Sequence, residues 1–262
     1  MTVVATTLSG NAASRLEGSS AEHRFYVGFA AVMAAALLLG FARTFFLRAW
    51  FPEWAQLHGA PEPFFLFHGA VFSLWFLLLI VQPSLVAARR VDLHRRLGRY
   101  GAGLAVVMVA VGIVGPLIAA RRPGGFIDVQ ISPLQFLTIP WVGLALFATF
   151  VTLAIVNRDN PQSHKRYMLL ASFGILDAAV VRWPFDNMMA PLPIPGFDVS
   201  NLALDLFLVP IIVWDFVSRG RLHPVTLWGG LVLIASQPLR MMLGETNAWI
   251  AFAGWAVGLL GP

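Results

Sequence analysis

Cysteine is absent from the 262 residues. Disulfides, thiolate metal sites and cysteine nucleophiles are thereby excluded. Charge is scarce too: 12% of residues are Asp, Glu, Lys or Arg, about half the roughly 25% of an average soluble domain. Lysine occurs once, as Lys165. No apolar span defined below holds it in its interior, which disfavours a retinal Schiff base. No G-x-S-x-G, Walker A, H-E-x-x-H or EF-hand pattern occurs, so nothing points to hydrolase or NTPase chemistry of the soluble kind.

What the chain has in abundance is apolar surface. Hydrophobic residues make up 58% of it, and the mean hydropathy is +0.75. A soluble core cannot absorb that much, whereas lipid can, because a helix facing lipid needs no polar coat. A crossing takes about 20 mostly apolar residues. Such runs cover 25–47, 63–88, 98–120, 134–156, 166–183, 201–218 and 224–243. A further apolar run, 248–260, has 13 residues; it either crosses as a short eighth helix paired with the seventh or lies in the interface. The expected fold is therefore all-α, a polytopic transmembrane helix bundle of seven spans with or without that eighth. Residues 1–22, rich in Ala, Ser and Thr, are expected to be a disordered tail, and 23–262 a single membrane domain.

Seventeen arginines account for most of the formal +5 charge. They lie between apolar runs, so topology explains them better than nucleic acid does. With the N-terminus in the cytoplasm, twelve of the eighteen Lys and Arg residues fall on the inner side and six on the outer. That bias predicts a multi-pass protein of the cell inner membrane with a cytoplasmic N-terminus. The outer stretch 50–62 carries aromatics and acids that suit a short interfacial helix. The stretch 184–200, with Pro184, Pro191, Pro193 and Pro195, is expected to be extended and stiff.

Polar side chains inside spans usually face the bundle interior. His68, Trp75, Gln82 and Arg89 recur every seven residues, which places them near one helix face. In the outer half, His68, Asp177, Arg182, Asp205 and Arg240 share a similar depth. They form either structural ion pairs, such as Asp177 with Arg182 or Arg240, or the lining of an outward-facing cavity. On the inner side the loop 91–99 holds His94, Arg95 and Arg99, and the start of the fifth span holds His164, Lys165 and Arg166. Two positive-inside segments binding lipid phosphates would explain the arginines. The two imidazoles at one depth are also suited to ligating a haem iron.

Taken in order, His68-Gly69, Gln82, the H-R-x-x-G-R run (His94, Arg95, Gly98, Arg99), the H-K-R-x-M run (His164, Lys165, Arg166, Met168) and Arg182 resemble a family of predicted bacterial polytopic membrane proteins. The match covers about 63–184, and Lys165 and Tyr167 stand where that family favours Arg and Trp. The family has no assigned activity. The resemblance directs attention to His68, His94, Arg95, Arg99, His164, Arg166 and Arg182. A looser similarity is to b-type cytochromes of the b561 kind, which need a histidine pair on each side; here only one complete pair, His94 and His164, is available.

Three functions are expected in turn. The first is a redox protein handling haem b or a quinone, with His94 and His164 as iron ligands. In it Arg95, Arg99 and Arg166 neutralise propionates or a quinone head. The second is a receptor or transporter for a small polar or anionic ligand at the outer cluster. The third is an assembly factor with a membrane-protein partner. In every case the surrounding medium is the lipid bilayer.

Overall fold

The computed structural model describes residues 2–122, 125–126, 131–193 and 196–261, and, of residues 2–19 and 57–58, the backbone alone. Among the described residues there are helices, turns and one isolated bridge between Pro191 and Asp198, with no strand. The α-helices are α1 (Thr2–Gly40), α2 (Pro52–His58), α3 (Pro63–Ala87), α4 (Val91–Ala120), α5 (Pro133–Phe136), α6 (Thr138–Val156), α7 (Pro161–Val180), α8 (Val199–Asp205), α9 (Leu208–Arg219), α10 (Pro224–Gly244) and α11 (Asn247–Gly258). The backbone is helical from Thr2, through the residues expected as a tail, into the apolar part of α1. Among the described residues five segments are long and apolar enough to cross a membrane: Ser20–Gly40, Pro63–Ala87, Val91–Ala120, Pro133–Val156 and Val199–Arg219.

α7 and α10 have similar lengths but carry more polar residues: Lys165, Arg166 and Asp177 on α7, Gln237 and Arg240 on α10. Packing explains this for α7. It touches α1, α3, α6, α8 and α10, and Leu169, Leu170, Ala171, Phe173, Leu176, Ala179 and Val180 along it are all buried. A helix enclosed by other helices meets little lipid, so it need not be apolar all round. The outer helices do the opposite. Val106, Val156 and Val217 are 70%, 70% and 76% exposed, as apolar side chains facing lipid would be.

Proline shapes the element boundaries. It lacks an N–H, and its ring crowds the carbonyl four residues earlier. Pro210 thus parts α8 from α9 at Leu206 and Phe207, within the stretch expected as one sixth span. Pro140 similarly stands four residues after Phe136, where α5 ends. Beyond α1 the chain continues as a π-helical turn, Ala42–Phe46, and a 3-10 turn, Arg48–Trp50. α2 follows, inside the outer stretch expected to hold a short helix. The described residues of 184–200 are mostly turns and bends plus the Pro191–Asp198 bridge; Ile194 and Pro195, within the stretch expected to be extended, lie outside them.

One expected loop is helix. Residues 91–99 form the first turns of α4. Hydropathy marks where a helix becomes apolar, not where it begins. The reversal between α3 and α4 needs only Ala88, Arg89 and Arg90. Arg89 adopts φ 58°, and Arg90 N–H returns to the Leu85 carbonyl at 2.8 Å, a left-handed closure of the Schellman type.

Close backbone approach holds α6, α7 and the end of α1 together. A Cβ on Gly143 would fall 2.3 Å from the Gly174 carbonyl oxygen, and one on Gly40 would fall 2.1 Å from that of Ala179. The main core joins Phe29 and Met33 of α1 to Phe173, Phe207 and Ile211. A smaller cluster, Leu117, Leu137, Ala253 and Ala256, seats α11 against α4 and α5 beside Trp141 and Trp249.

Candidate functional site

The α3–α4, α6–α7 and α9–α10 turns lie at one end of the bundle, where His94 of α4 meets His164 of α7 and Arg166 of α7 meets Asp215 of α9. Asn160 caps α7 there, accepting from Gln162 N and Ser163 N at 3.2 Å each. The cap sets His164 in the first turn, and its Nδ1 lies 2.8 Å from the Ala154 carbonyl oxygen near the end of α6. That carbonyl is one of the last four of α6, which lack helical partners. It can only accept, so His164 Nδ1 carries a proton, and in the neutral ring that leaves the lone pair on Nε2.

His94, in the first turn of α4, stands opposite. The two rings are 6.4 Å apart between centroids, with planes at 86°, and both residues are half-buried. Gln82 of α3 reaches the same turn. With its amide nitrogen towards α4 it donates to the His94 carbonyl at 3.2 Å and to His94 Nδ1 at 2.6 Å, while its oxygen accepts from Gly98 N at 3.0 Å. Arg95 and Arg99 are exposed on the same helix.

Arg166, expected beside these histidines as a partner for a bound anion, is turned elsewhere. It is fully buried and forms an ion pair with Asp215 of α9. Its Nε donates to Asp215 Oδ1 at 3.0 Å, and one terminal nitrogen donates to the Gln162 carbonyl and Oε1 at 2.7 and 2.8 Å. Asp215 Oδ2 also accepts from His223 N at 3.0 Å. His223 caps α10, its Nδ1 accepting from Val225 N at 3.1 Å. Burial, and then the charges of Arg166 and Arg219, hold His223 down to about 4 from the ordinary 6.5. Lys165 pairs with Glu22 of α1 and lies over the Tyr26 ring at 4.6 Å. This group ties α1, α7, α9 and α10 together and leaves Arg166 no charge for a ligand.

At the opposite end, Arg240 of α10 pairs with Asp177 of α7 at 2.6 Å and donates to Asn201 Oδ1 of α8 at 3.2 Å. Gln237 donates to Asp205 Oδ1 at 2.7 Å. A cavity of about 20 Å³ lies among Gly174, Asp177, Asp205, Gln237 and Arg240, which is room for about one water. Among the described residues Gln237 Oε1 and Arg240 Nε have no hydrogen-bond partner. His68 does not line this cavity. Its ring stacks on Phe72 at 4.3 Å, and Nδ1 faces Gly115 of α4, where an added Cβ would sit 3.1 Å away. Arg182 is exposed, with its guanidinium 5.3 Å from the Phe41 ring and a terminal nitrogen donating to the Ala178 carbonyl at 2.5 Å. The five residues grouped by depth thus divide among different surroundings.

Between the two charged layers α7 is apolar. Leu169, Leu170 and Phe173 are buried there, with Leu208 and Ile211 of α9, and Ser172 is occupied accepting from Trp75 Nε1 at 3.0 Å. Asp215, Asn201 and Gln162 belong to no motif. A lone acid in an apolar run calls for a buried base at the same depth, and that signal alone pointed from Asp215 to Arg166. Among the described residues no three His, Asp or Glu side chains gather as a metal site. Of the expected site residues, His94 and His164 are the two histidines whose rings the structure brings together. No family model, curated protein or solved structure matches the chain.

Proposed function

We propose that the chain is a multi-pass membrane protein that holds haem b between His94 and His164 and passes electrons through it. Its seven spans would be α1, α3, α4, α5–α6, α7, α8–α9 and α10, with a cytoplasmic N-terminus in the cell inner membrane. α11 would be the short eighth segment.

The ring separation carries the reading. A nitrogen–metal bond is about 2.0 Å, and an imidazole centroid lies roughly 1.1 Å beyond its nitrogen. If His94 and His164 were to hold one iron between α4 and α7, their rings would have to come within about 6 Å of each other between centroids. The observed separation is 6.4 Å. His164 has the proton arrangement a ligand needs, with Nδ1–H held by a carbonyl and Nε2 free. The haem supplies a one-electron couple. Arg95 and Arg99 would meet its propionates, as paired arginine–carboxylate contacts do. A quinone would make no comparable use of two facing imidazoles.

The other expected functions have less behind them. Asp177 already answers the charge of Arg240, and a cavity of about 20 Å³ suits water, not an organic ligand. For an assembly factor no feature of the fold identifies a partner.

The test is optical. Protein purified in mild detergent with haemin should show a sharp Soret band and the narrow visible bands of a six-coordinate low-spin haem. His94→Ala and His164→Ala should each abolish that spectrum. A folded wild-type protein that stays colourless with haemin would refute the proposal.

A further inference from the structure

We infer that Gln82 is a positioning residue that decides which nitrogen of His94 is free to ligate. The inference rests on the His94–His164 site proposed above. The two histidines are not equivalent. His164 Nδ1 faces a backbone carbonyl, an acceptor with no alternative role, so the neutral ring has a single tautomer, with Nε2 unprotonated. His94 Nδ1 faces a side-chain amide, which offers an acceptor on one edge and a donor on the other.

The orientation with nitrogen towards α4 satisfies three contacts: the His94 carbonyl, His94 Nδ1 and Gly98 N. It makes Nδ1 an acceptor. A neutral His94 then carries its proton on Nε2, where a metal cannot bind. Turning the amide by half a revolution brings oxygen to Nδ1. Nδ1 then bears the proton, donates to Gln82, and leaves Nε2 free as a ligand should have it. The turn gives up the contacts to the His94 carbonyl and to Gly98 N. Metal binding at His94 is thus coupled to rotation of one amide, while His164 needs no change. His94 alone would be a gated ligand.

The test begins without haem, so that it does not depend on the site being occupied. Nitrogen-15 histidine spectra of the full chain in lipid nanodiscs distinguish the two neutral tautomers. Wild type should show His94 with its proton on Nε2. Gln82→Glu, whose carboxylate only accepts, should move that proton to Nδ1 at mildly alkaline pH. His164 should keep Nδ1–H in both. Identical His94 tautomers in the two proteins would overturn the inference, whatever haem does.

Haemin titration is the second arm. Changing the group that holds a ligand histidine's other nitrogen typically alters metal affinity about 10–100-fold. Gln82→Glu should bind haemin more tightly than wild type and lower the midpoint potential. Gln82→Leu should bind more weakly, and it serves as the readable variant where Gln82→Glu fails to fold. If His94→Ala abolishes haem binding while both Gln82 variants leave affinity and potential unchanged, the Gln82 role falls and the site stands. If wild type takes no haemin, the site reading falls, and the tautomer result alone judges Gln82.

Discussion

At the scale of single residues, the strongest interactions are those of buried charge. Arg166 and Asp215 are both fully buried and paired. Breaking such a pair from one side leaves an unanswered charge and costs about 3–5 kcal/mol, whereas replacing both partners with apolar groups is often neutral. Asp215→Ala should therefore unfold at markedly lower temperature in detergent than wild type, and Arg166→Met with Asp215→Leu should recover most of the loss. A double variant no better than Asp215→Ala would contradict this account. His223 gives a pH dependence. Folding holds it below its ordinary value, so the unfolded chain binds more protons between roughly pH 6.5 and 4. Its contribution to stability is complete above that window and declines as pH falls through it. The geometry agrees, since protonating Nδ1 would remove the cap on Val225 N. His223→Asn keeps a capping oxygen that does not titrate. It should flatten the acid side of a melting-temperature profile, and an unchanged profile would show that other groups set it.

At the scale of elements, contact between helices depends on what a helix omits. At Gly143 an added methyl would meet the Gly174 carbonyl oxygen at 2.3 Å, and at Gly103 it would meet nothing within 4 Å. Gly143→Ala should cost about 1–3 kcal/mol, as overpacking does. Gly103→Ala should be neutral or stabilising by up to about 1 kcal/mol, because alanine favours helix. Paired thermal melts separate the two, and equal shifts would mean that α6 and α7 do not approach so closely. The sequence located most of these helices, because an apolar run of the right length has few other uses. It misplaced the start of α4, since charged residues such as Arg95 and Arg99 form helix as readily as apolar ones. The sixth apolar run is one crossing segment, Val199–Arg219, which Pro210 divides locally into α8 and α9.

For the molecule as a whole, membrane sidedness is directly measurable. The chain has no cysteine, so single-cysteine variants report one position each. Arg90, Asp159 and Arg221 lie in the turns that share an end with His94 and His164; Glu53, Asp186 and Glu245 lie towards the other. Under the proposed topology the first three should react with an impermeant thiol reagent only from the cytoplasmic side, and the last three only from the outside. Labelling of Arg90 and Asp159 positions from opposite faces would dismantle both the topology and the histidine site.

By itself the sequence determined the class of fold. Its surplus of apolar side chains, with too few charges to coat a soluble surface, leaves helices that bury their own backbone bonds as the economical solution. It also set His94 and His164 beside basic residues at the edges of apolar runs. Which side chains meet was decided by the tertiary structure. Depth along a helix follows from counting residues, but rotation about its axis and the identity of its neighbours follow from packing. That is why His68, Arg182 and Arg240, grouped by depth, have different surroundings. It is also why Arg166 faces Asp215 while the adjacent His164 faces His94.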